Sequence, residues 1–147
     1  MNESGIDSEA GFLRGHFLIA MPALVDPNFD RTVTCISAHS DEGAMGIVIN
    51  RVHEQIQAKD VFEELSLHSV EAADRMPIHI GGPVHINEIF ILHGPPFEWE
   101  SCYQISPSLG LSNSLDVLTA IASGKGPRFA IIALGCAGWA PGQLEAE

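Results

Sequence analysis

Cys136 is the side chain whose type and position best suit nucleophilic chemistry. It follows the apolar run 129–134 and precedes segment 141–147, which has the proline and acidic residues of a helix entry. A thiolate between a strand and a helix start is stabilised, and His79 or His93 could serve as its base. The glycine spacing around Cys136 departs from the Gly-x-nucleophile-x-Gly elbow. We therefore favour a buried, inert cysteine, with a small cysteine-dependent hydrolase using Cys136 as the alternative.

The seven histidines raise the question of a metal site. His79 and His93 each end a predicted strand, and the two could meet across a hairpin. The sequence contains no HExxH motif and no clustered Cys or Asp ligands. We therefore predict no metal ion and no cofactor, and expect the histidines to be solvated or satisfied within the core. They are His16, His39, His53, His68, His79, His85 and His93.

Two glycine-rich segments carry the least generic residue combinations, namely Gly81-Gly-Pro83 and Gly135–Gly142. Glycine lets a ligand approach the backbone closely, and the N–H groups at a helix start attract anions. The spacing matches neither a dinucleotide-binding motif nor a P-loop, and Glu145 and Glu147 would repel an anion. Tight turns with Trp139 packed in the core remain the simpler interpretation.

Charge and composition limit the classes of partner. The chain has 19 acidic and 7 basic residues, for a net charge of −12, and the basic residues are scattered. Because a DNA-binding protein makes about 6–10 phosphate contacts through Lys and Arg, direct nucleic-acid binding and binding to anionic membranes are disfavoured. There is no signal-peptide pattern at the start, and the longest apolar run is broken by Pro22. With three cysteines and no CxxC spacing, we predict a cytoplasmic protein without disulfides.

The elements that must position these residues follow from hydrophobic periodicity. A length of 147 residues with 46% hydrophobic content predicts a flexible tail over 1–12 and a single domain over 13–147. Short turns between most strands favour an α+β fold with a mixed, largely antiparallel sheet and a few flanking helices. Strands are predicted at 16–21, 32–37, 45–49, 77–80, 88–92, 103–105 and 129–134, and helices at 61–67 after an Asp60 cap, from Ser112 or Ser114 to Gly124, and at 143–147. Because the last helix is cut short, we expect a C-terminal segment to be missing.

Six motifs, in order along nearly the whole chain, resemble the AlgH/YqgE family. They are Gly15–Pro22, Asp26–Phe29, His39–Gly46 with Asn50, Gly81–Val84, Leu92-His93 and Gly138–Glu145. The resemblance implies a bacterial cytoplasmic protein of bent, coiled β-sheets with flanking helices, a role in regulation, and no established enzymatic activity. The family usually has a tyrosine where this chain has Cys136, so a nucleophile shared by the family is not expected there.

Together these observations predict a regulatory module that binds a small molecule or a protein. The predicted cleft lies between the Gly81–Pro83 turn and the Gly138–Gln143 loop. A transcriptional regulator would rest on the family name alone, and the net charge argues against it. The predicted site residues are His39, Asn50, Gly81, Gly82, Pro83, His93, Gly138, Trp139 and Gln143. The pattern does not predict an oligomeric state.

Overall fold

The computed structural model describes residues 13–19 and 31–144. The predicted tail over 1–12 lies outside this part, as do the end of the first predicted strand and residues 145–147 of the last predicted helix. The described elements are β1 Phe17–Ile19, β2 Val33–Ser40, β3 Gly43–Val48, β4 Val52–Gln57, α1 Ala58–Glu64, α2 Glu71–Asp74, β5 Pro77–Ile80, β6 Val84–His93, β7 Cys102–Ser106, β8 Leu109–Ser112, α3 Leu115–Ala122 and β9 Ala130–Trp139. Within the described ranges, no helix is long and apolar enough to span a bilayer.

The strands form one sheet in the order β1-β2-β3-β9-β6-β8-β7, and β4 joins it through β5. Strand β5 pairs in parallel with β9, whereas the other described strand pairs are antiparallel. The predicted α+β fold with a mixed, largely antiparallel sheet is therefore confirmed. The predicted hairpin of the second and third strands is present as β2–β3, with a register shift between Ile36 and Ala38.

The sheet curls until its first and last strands approach each other. Cys35 on β2 and Ile105 on β7 belong to one buried cluster, and the Arg14 Nη1 atom donates a hydrogen bond of 3.0 Å to the Tyr103 hydroxyl. The enclosed face is filled by apolar side chains such as Ile47, Phe90 and Leu92. The result resembles a nearly closed barrel, since curling removes apolar surface from water on the inner face.

Helices α1 and α3 cover the outer face of the central strands. Their buried side chains pack with Ile78, Ile91 and Ile132, which belong to β5, β6 and β9. Helix α3 agrees with the prediction, because Ser114 is its N-cap and Gly124 follows its end with a φ of 82°. Helix α1 begins earlier than predicted, at Ala58. Asp60 therefore lies within its first turn and is not its N-cap.

Strand β9 corrects the predicted end of the last strand. The prediction ended it at Leu134 and placed a glycine-rich turn at 135–142, but the strand continues to Trp139. Its second half is held by antiparallel pairing with β3, in which Gly46 faces Ala137 and Ala44 faces Trp139. Long-range pairing therefore overrides the local turn preference of the glycines. The predicted arrangement of strand, loop and helix around Cys136 is wrong.

Candidate functional site

An open groove runs beside the β2–β3 hairpin and strand β7, and we call it the mouth groove. It consists of two hollows of about 410 and 450 Å³ that share Met45 and Tyr103. The first hollow is lined by Ala38, His39, Ser40, Glu42, Gly43, Ala44, Met45, Tyr103 and Trp139. The second is lined by Met45, Phe90, Glu100, Ser101, Cys102, Tyr103, Leu111, Ser112 and Asn113. Because they share these two residues, the two hollows lie next to each other.

Strand pairing brings His39 and Trp139, both predicted site residues, into the first hollow. His39 on β2 faces Ala44 on β3, and Ala44 in turn faces Trp139 on β9. The backbone N–H of Leu13 donates a hydrogen bond of 2.9 Å to His39 Nδ1. The neutral ring therefore carries its proton on Nε2, which fixes the tautomer. Trp139 is almost fully buried, so most of its indole belongs to the core beneath the hollow.

The groove combines apolar walls with acidic and hydroxyl groups. Met45, Phe90 and Leu111 supply thioether, aromatic and aliphatic surface, and the Tyr103 side chain is 44% exposed. One exposed carboxylate contributes to each hollow, Glu42 to the first and Glu100 to the second. An apolar surface with a few polar groups is typical of a recognition site. Neither Met45 nor Tyr103 was predicted to belong to the site; the one available signal for Tyr103 was that it is the only tyrosine of the chain, placed on a short strand.

Gly81 and Gly82 have a packing role that the sequence did not reveal. Strands β5 and β6 lie on opposite edges of β9, because Ile132 pairs with both Ile78 and Ile91. The chain must therefore cross β9 between these two strands, and Gly81 and Gly82 lie at the crossing.

The contact at this crossing is backbone against backbone. A Cβ atom on Gly81 would lie 2.2 Å from the carbonyl oxygen of Gly135, and one on Gly82 would lie 2.3 Å from the carbonyl carbon of Cys136. The Gly81 N–H donates to the Leu134 carbonyl at 2.8 Å, and its own carbonyl accepts from the Val48 N–H at 2.9 Å. The missing Cβ atoms of Gly81 and Gly82 therefore leave room for the backbone of β9.

The remaining residues of the predicted cleft are dispersed around this crossing. Pro83 and Gly138 are exposed, and a Cβ on Gly138 would lie 3.9 Å from Val84 Cγ2. The Gln143 side-chain oxygen accepts a hydrogen bond of 2.8 Å from the Ala140 N–H, which holds the turn after β9. The structure thus brings the two glycine segments together, but Pro83, Gly138 and Gln143 are not among the residues that line the mouth groove.

Asn50 and His93 are held by hydrogen bonds that stabilise the fold. The Asn50 side chain accepts from the Val33 N–H at 2.8 Å and donates to the Arg31 carbonyl at 3.0 Å, which ties the β3–β4 turn to β2. His93 is fully buried, with Nδ1 2.7 Å from the Gly94 carbonyl and Nε2 2.8 Å from the Ser112 hydroxyl. Nδ1 therefore donates to the carbonyl, and Nε2 accepts from the hydroxyl.

The prediction that His79 and His93 could meet across a hairpin is wrong. His79 on β5 and His93 on β6 lie on opposite edges of β9, where they face Ala133 and Ala130. Among the residues that the structure describes, no three His, Cys, Asp or Glu side chains are grouped as metal ligands would be.

Cys136 lies in the interior of β9 and is buried. Burial raises the pKa of its thiol, and the negative charge of Glu88 raises it further. The described hydrogen bond between a cysteine and a histidine instead joins Cys102 Sγ to His93 Nε2 at 3.9 Å. Burial therefore disfavours the thiolate that the hydrolase hypothesis requires, and no hydrogen bond of the described residues joins Cys136 to a histidine.

Comparison with known proteins shows that this chain is similar to one protein family. An AlgH-like family model matches residues 17–147. A UPF0301 protein of Desulforapulum autotrophicum is 50% identical over 138 residues, which cover 94% of this chain and 73% of that protein. A UPF0301 protein of Nitrosospira multiformis is 47% identical over 136 residues, with 92% and 73% covered.

Two solved structures share the fold. The solution structure of the AlgH protein from Pseudomonas aeruginosa superimposes with a TM-score of 0.80 at 43% identity, covering 97% of this chain and 75% of that one. A crystal structure of a protein from Corynebacterium diphtheriae gives a TM-score of 0.70 at 21% identity over 92% of this chain and 70% of that one, so it supports the fold alone.

Proposed function

This chain belongs to the AlgH-like family, and from that premise we propose that it is a regulatory binding module of the cytoplasm whose mouth groove holds an extended peptide segment of a partner protein. The observation that carries the proposal is that two hollows adjoin at shared lining residues. Two hollows joined at Met45 and Tyr103 provide room for several consecutive residues of an extended chain.

The walls of the groove suit apolar side chains of such a segment. Met45 has a flexible, polarisable thioether that adapts to differently shaped partners. Tyr103 combines a large apolar ring with a hydroxyl group, and aromatic residues of this kind are enriched at protein interfaces. Phe90 and Leu111 extend the apolar surface into the second hollow.

Strand β7 offers main-chain hydrogen bonds beside the same groove. In residues 13–19 and 31–144, β7 pairs with β8 along one edge. The opposite edge of β7 faces β1 and β2 in the curled sheet, so a strand added there, a common mode of peptide recognition, would lie in the gap between β7 and these two strands. Tyr103 lies on β7 itself, so a segment added to this edge would run alongside the groove.

The charge of the groove favours a basic segment. Glu42 and Glu100 each line one hollow, and the whole chain carries a net charge of −12. Such a field raises the association rate of Lys- and Arg-containing partners and opposes nucleic-acid phosphates. The partner segment should therefore alternate apolar with basic side chains. The three cysteines are free thiols, which fits the proposed reducing setting.

The test is selection of binding peptides from a random phage-displayed library by the purified chain. We expect enrichment of peptides that combine Lys or Arg with apolar residues. Fluorescence anisotropy with a selected peptide should show about tenfold weaker binding for Tyr103→Ala and for Met45→Ala, which corresponds to about 1.4 kcal/mol. Phe129→Ala is the matched control, because Phe129 is an exposed aromatic residue that does not line the groove.

Two results would contradict the proposal. One is a library selection without enrichment above an unrelated acidic protein of similar size. The other is a set of enriched peptides whose affinity is unchanged by both groove substitutions. Chemical-shift changes in the β2–β3 hairpin and β7 on peptide addition would locate the contact independently.

A further inference from the structure

A second concave surface lies between α2 and the C-terminal end of α3, and we call it the α2–α3 trough. Its volume is about 460 Å³, within the range of roughly 300–1,000 Å³ for small-molecule sites. It shares no lining residue with the mouth groove. Its apolar walls include Val70, Met76, Ile121 and Pro127.

The trough is built from tightly connected backbone. The Val70 N–H donates to the Ala122 carbonyl at 2.8 Å, which joins the start of α2 to the end of α3. The Lys125 N–H donates to the Ala120 carbonyl at 2.8 Å. A Cβ on Gly126 would lie 2.6 Å from a side-chain carbon of Ile121, so the loop lies directly on the helix. The concave shape is therefore already formed without a ligand.

The charge at the trough is opposite to that of the molecule. Arg128 lines the trough, and Lys125 lies on the same loop. Within the described ranges, neither side chain has a carboxylate at ion-pair distance. The acids of α2 are already engaged, since Glu71 pairs with Arg75 at 2.9 Å and Asp74 accepts from the Ser69 hydroxyl at 2.5 Å.

From this combination we propose that the α2–α3 trough binds a small amphiphilic carboxylate, meaning an alkyl or aryl chain that ends in a carboxylate group. The apolar body lies against Val70, Met76 and Ile121, and the carboxylate receives two hydrogen bonds from the Arg128 guanidinium. A guanidinium matches a carboxylate with two parallel hydrogen bonds, whereas apolar walls disfavour a strongly hydrated inorganic anion.

The test is calorimetric titration of the complete chain with octanoate, with 1-octanol as the uncharged comparison. We expect saturable octanoate binding that is at least about tenfold tighter than octanol binding. Arg128→Gln should weaken octanoate binding by about tenfold and bring the two probes close together. Ala72→Glu should act similarly, because Ala72 lines the trough from the exposed side of α2. Lys59→Gln is the control, because Lys59 is an exposed cation on α1 that does not line the trough, and it should change the affinity by less than about twofold.

The following results would contradict the proposal. It fails if octanoate shows no saturable binding, or if octanol binds as tightly as octanoate. It also fails if Arg128→Gln and Ala72→Glu leave the affinity unchanged. Amide chemical shifts on octanoate addition must change in α2 and the loop after α3, since changes confined to the β2–β3 hairpin and β7 would assign the ligand to the mouth groove instead.

Discussion

Replacing Gly82 by alanine tests whether the glycine pair exists for the chain crossing or for a ligand. The φ angle of Gly82 is 151°, in a region that residues with a side chain rarely adopt. The new Cβ would lie 2.3 Å from the carbonyl carbon and oxygen of Cys136 and 2.5 Å from the Ala137 nitrogen. All three atoms are backbone atoms of β9, which is paired with β3, β5 and β6 and cannot shift alone.

The size of the effect follows from these contacts. Backbone strain of this kind costs about 1–3 kcal/mol. Moving the crossing away from β9 also weakens the hydrogen bonds that Gly81 makes to Leu134 and Val48, at about 1 kcal/mol each. We expect Gly82→Ala to lower the free energy of unfolding by about 4 kcal/mol, a large share of the roughly 5–15 kcal/mol of a typical domain. The melting temperature should fall by roughly 10 °C.

Urea unfolding followed by tryptophan fluorescence and circular dichroism measures this change. Gly142→Ala is the first control, because Gly142 has a φ of 79° but no atom within 4 Å of an added Cβ, so it should cost only about 1–2 kcal/mol. Gly138→Ala is the second and should be close to neutral, since its nearest contact would be 3.9 Å away. The reasoning is refuted if Gly82→Ala is no less stable than Gly142→Ala. A folded Gly82→Ala variant that loses peptide or octanoate binding would instead indicate a ligand site.

Two further predictions concern titration and thiol reactivity. Burial lowers the pKa of His79 from its ordinary value of 6.5, so the unfolded chain binds this proton more readily; stability is complete above pH 6.5 and decreases as the pH falls towards the lowered pKa. The urea midpoints measured at pH 7.5 and at pH 5.5 should differ less for His79→Gln than for the wild type. An unchanged difference would contradict the assignment of this pH dependence to His79. With a disulfide reagent, Cys102 should react before Cys136 and Cys35, because it is only half-buried while burial raises the pKa of Cys136 and brings that of Cys35 to about 11. Faster labelling of Cys136 in the folded chain, followed by mass spectrometry of its peptides, would contradict this order.

Local patterns predicted the elements whose residues interact mainly with near neighbours. The spacing of Leu115, Leu118 and Ile121, bounded by Ser114 and Gly124, indicated α3, and the structure has it from Leu115 to Ala122. The short connection after β2 likewise indicated the β2–β3 hairpin. In both cases the information needed lies within a few residues along the chain.

The sequence pattern predicted the wrong end for β9, and the error has a physical reason. Gly135 and Gly138 are turn signals in sequence, but glycine within a strand also marks a bulge or a close backbone approach. Gly135 has a φ of 81° in the middle of the strand, opposite the crossing. Deciding between these meanings requires the position of Gly82, which is more than fifty residues away.

The candidate site likewise combines residues that were predicted from the sequence with residues that only the structure revealed. His39 and Trp139 were predicted to belong to a site, and pairing with Ala44 from opposite edges of β3 brings them together. Met45 and Tyr103 were missed, because nothing near either residue in the chain indicates that the curled sheet brings Tyr103 on β7 to the same hollows as Met45 on β3.

The amino-acid sequence alone determined the acidity, the α+β pattern and the positions where a side chain is absent, because these depend on residue types and local spacing. Only the tertiary structure decided which atoms lie against those positions. A missing Cβ permits either a ligand or a second stretch of backbone to come close, and Gly81 and Gly82 meet backbone because β5 and β6 flank opposite edges of β9. That arrangement is set by packing between segments distant in the chain. Local residue preferences contain no information about such packing.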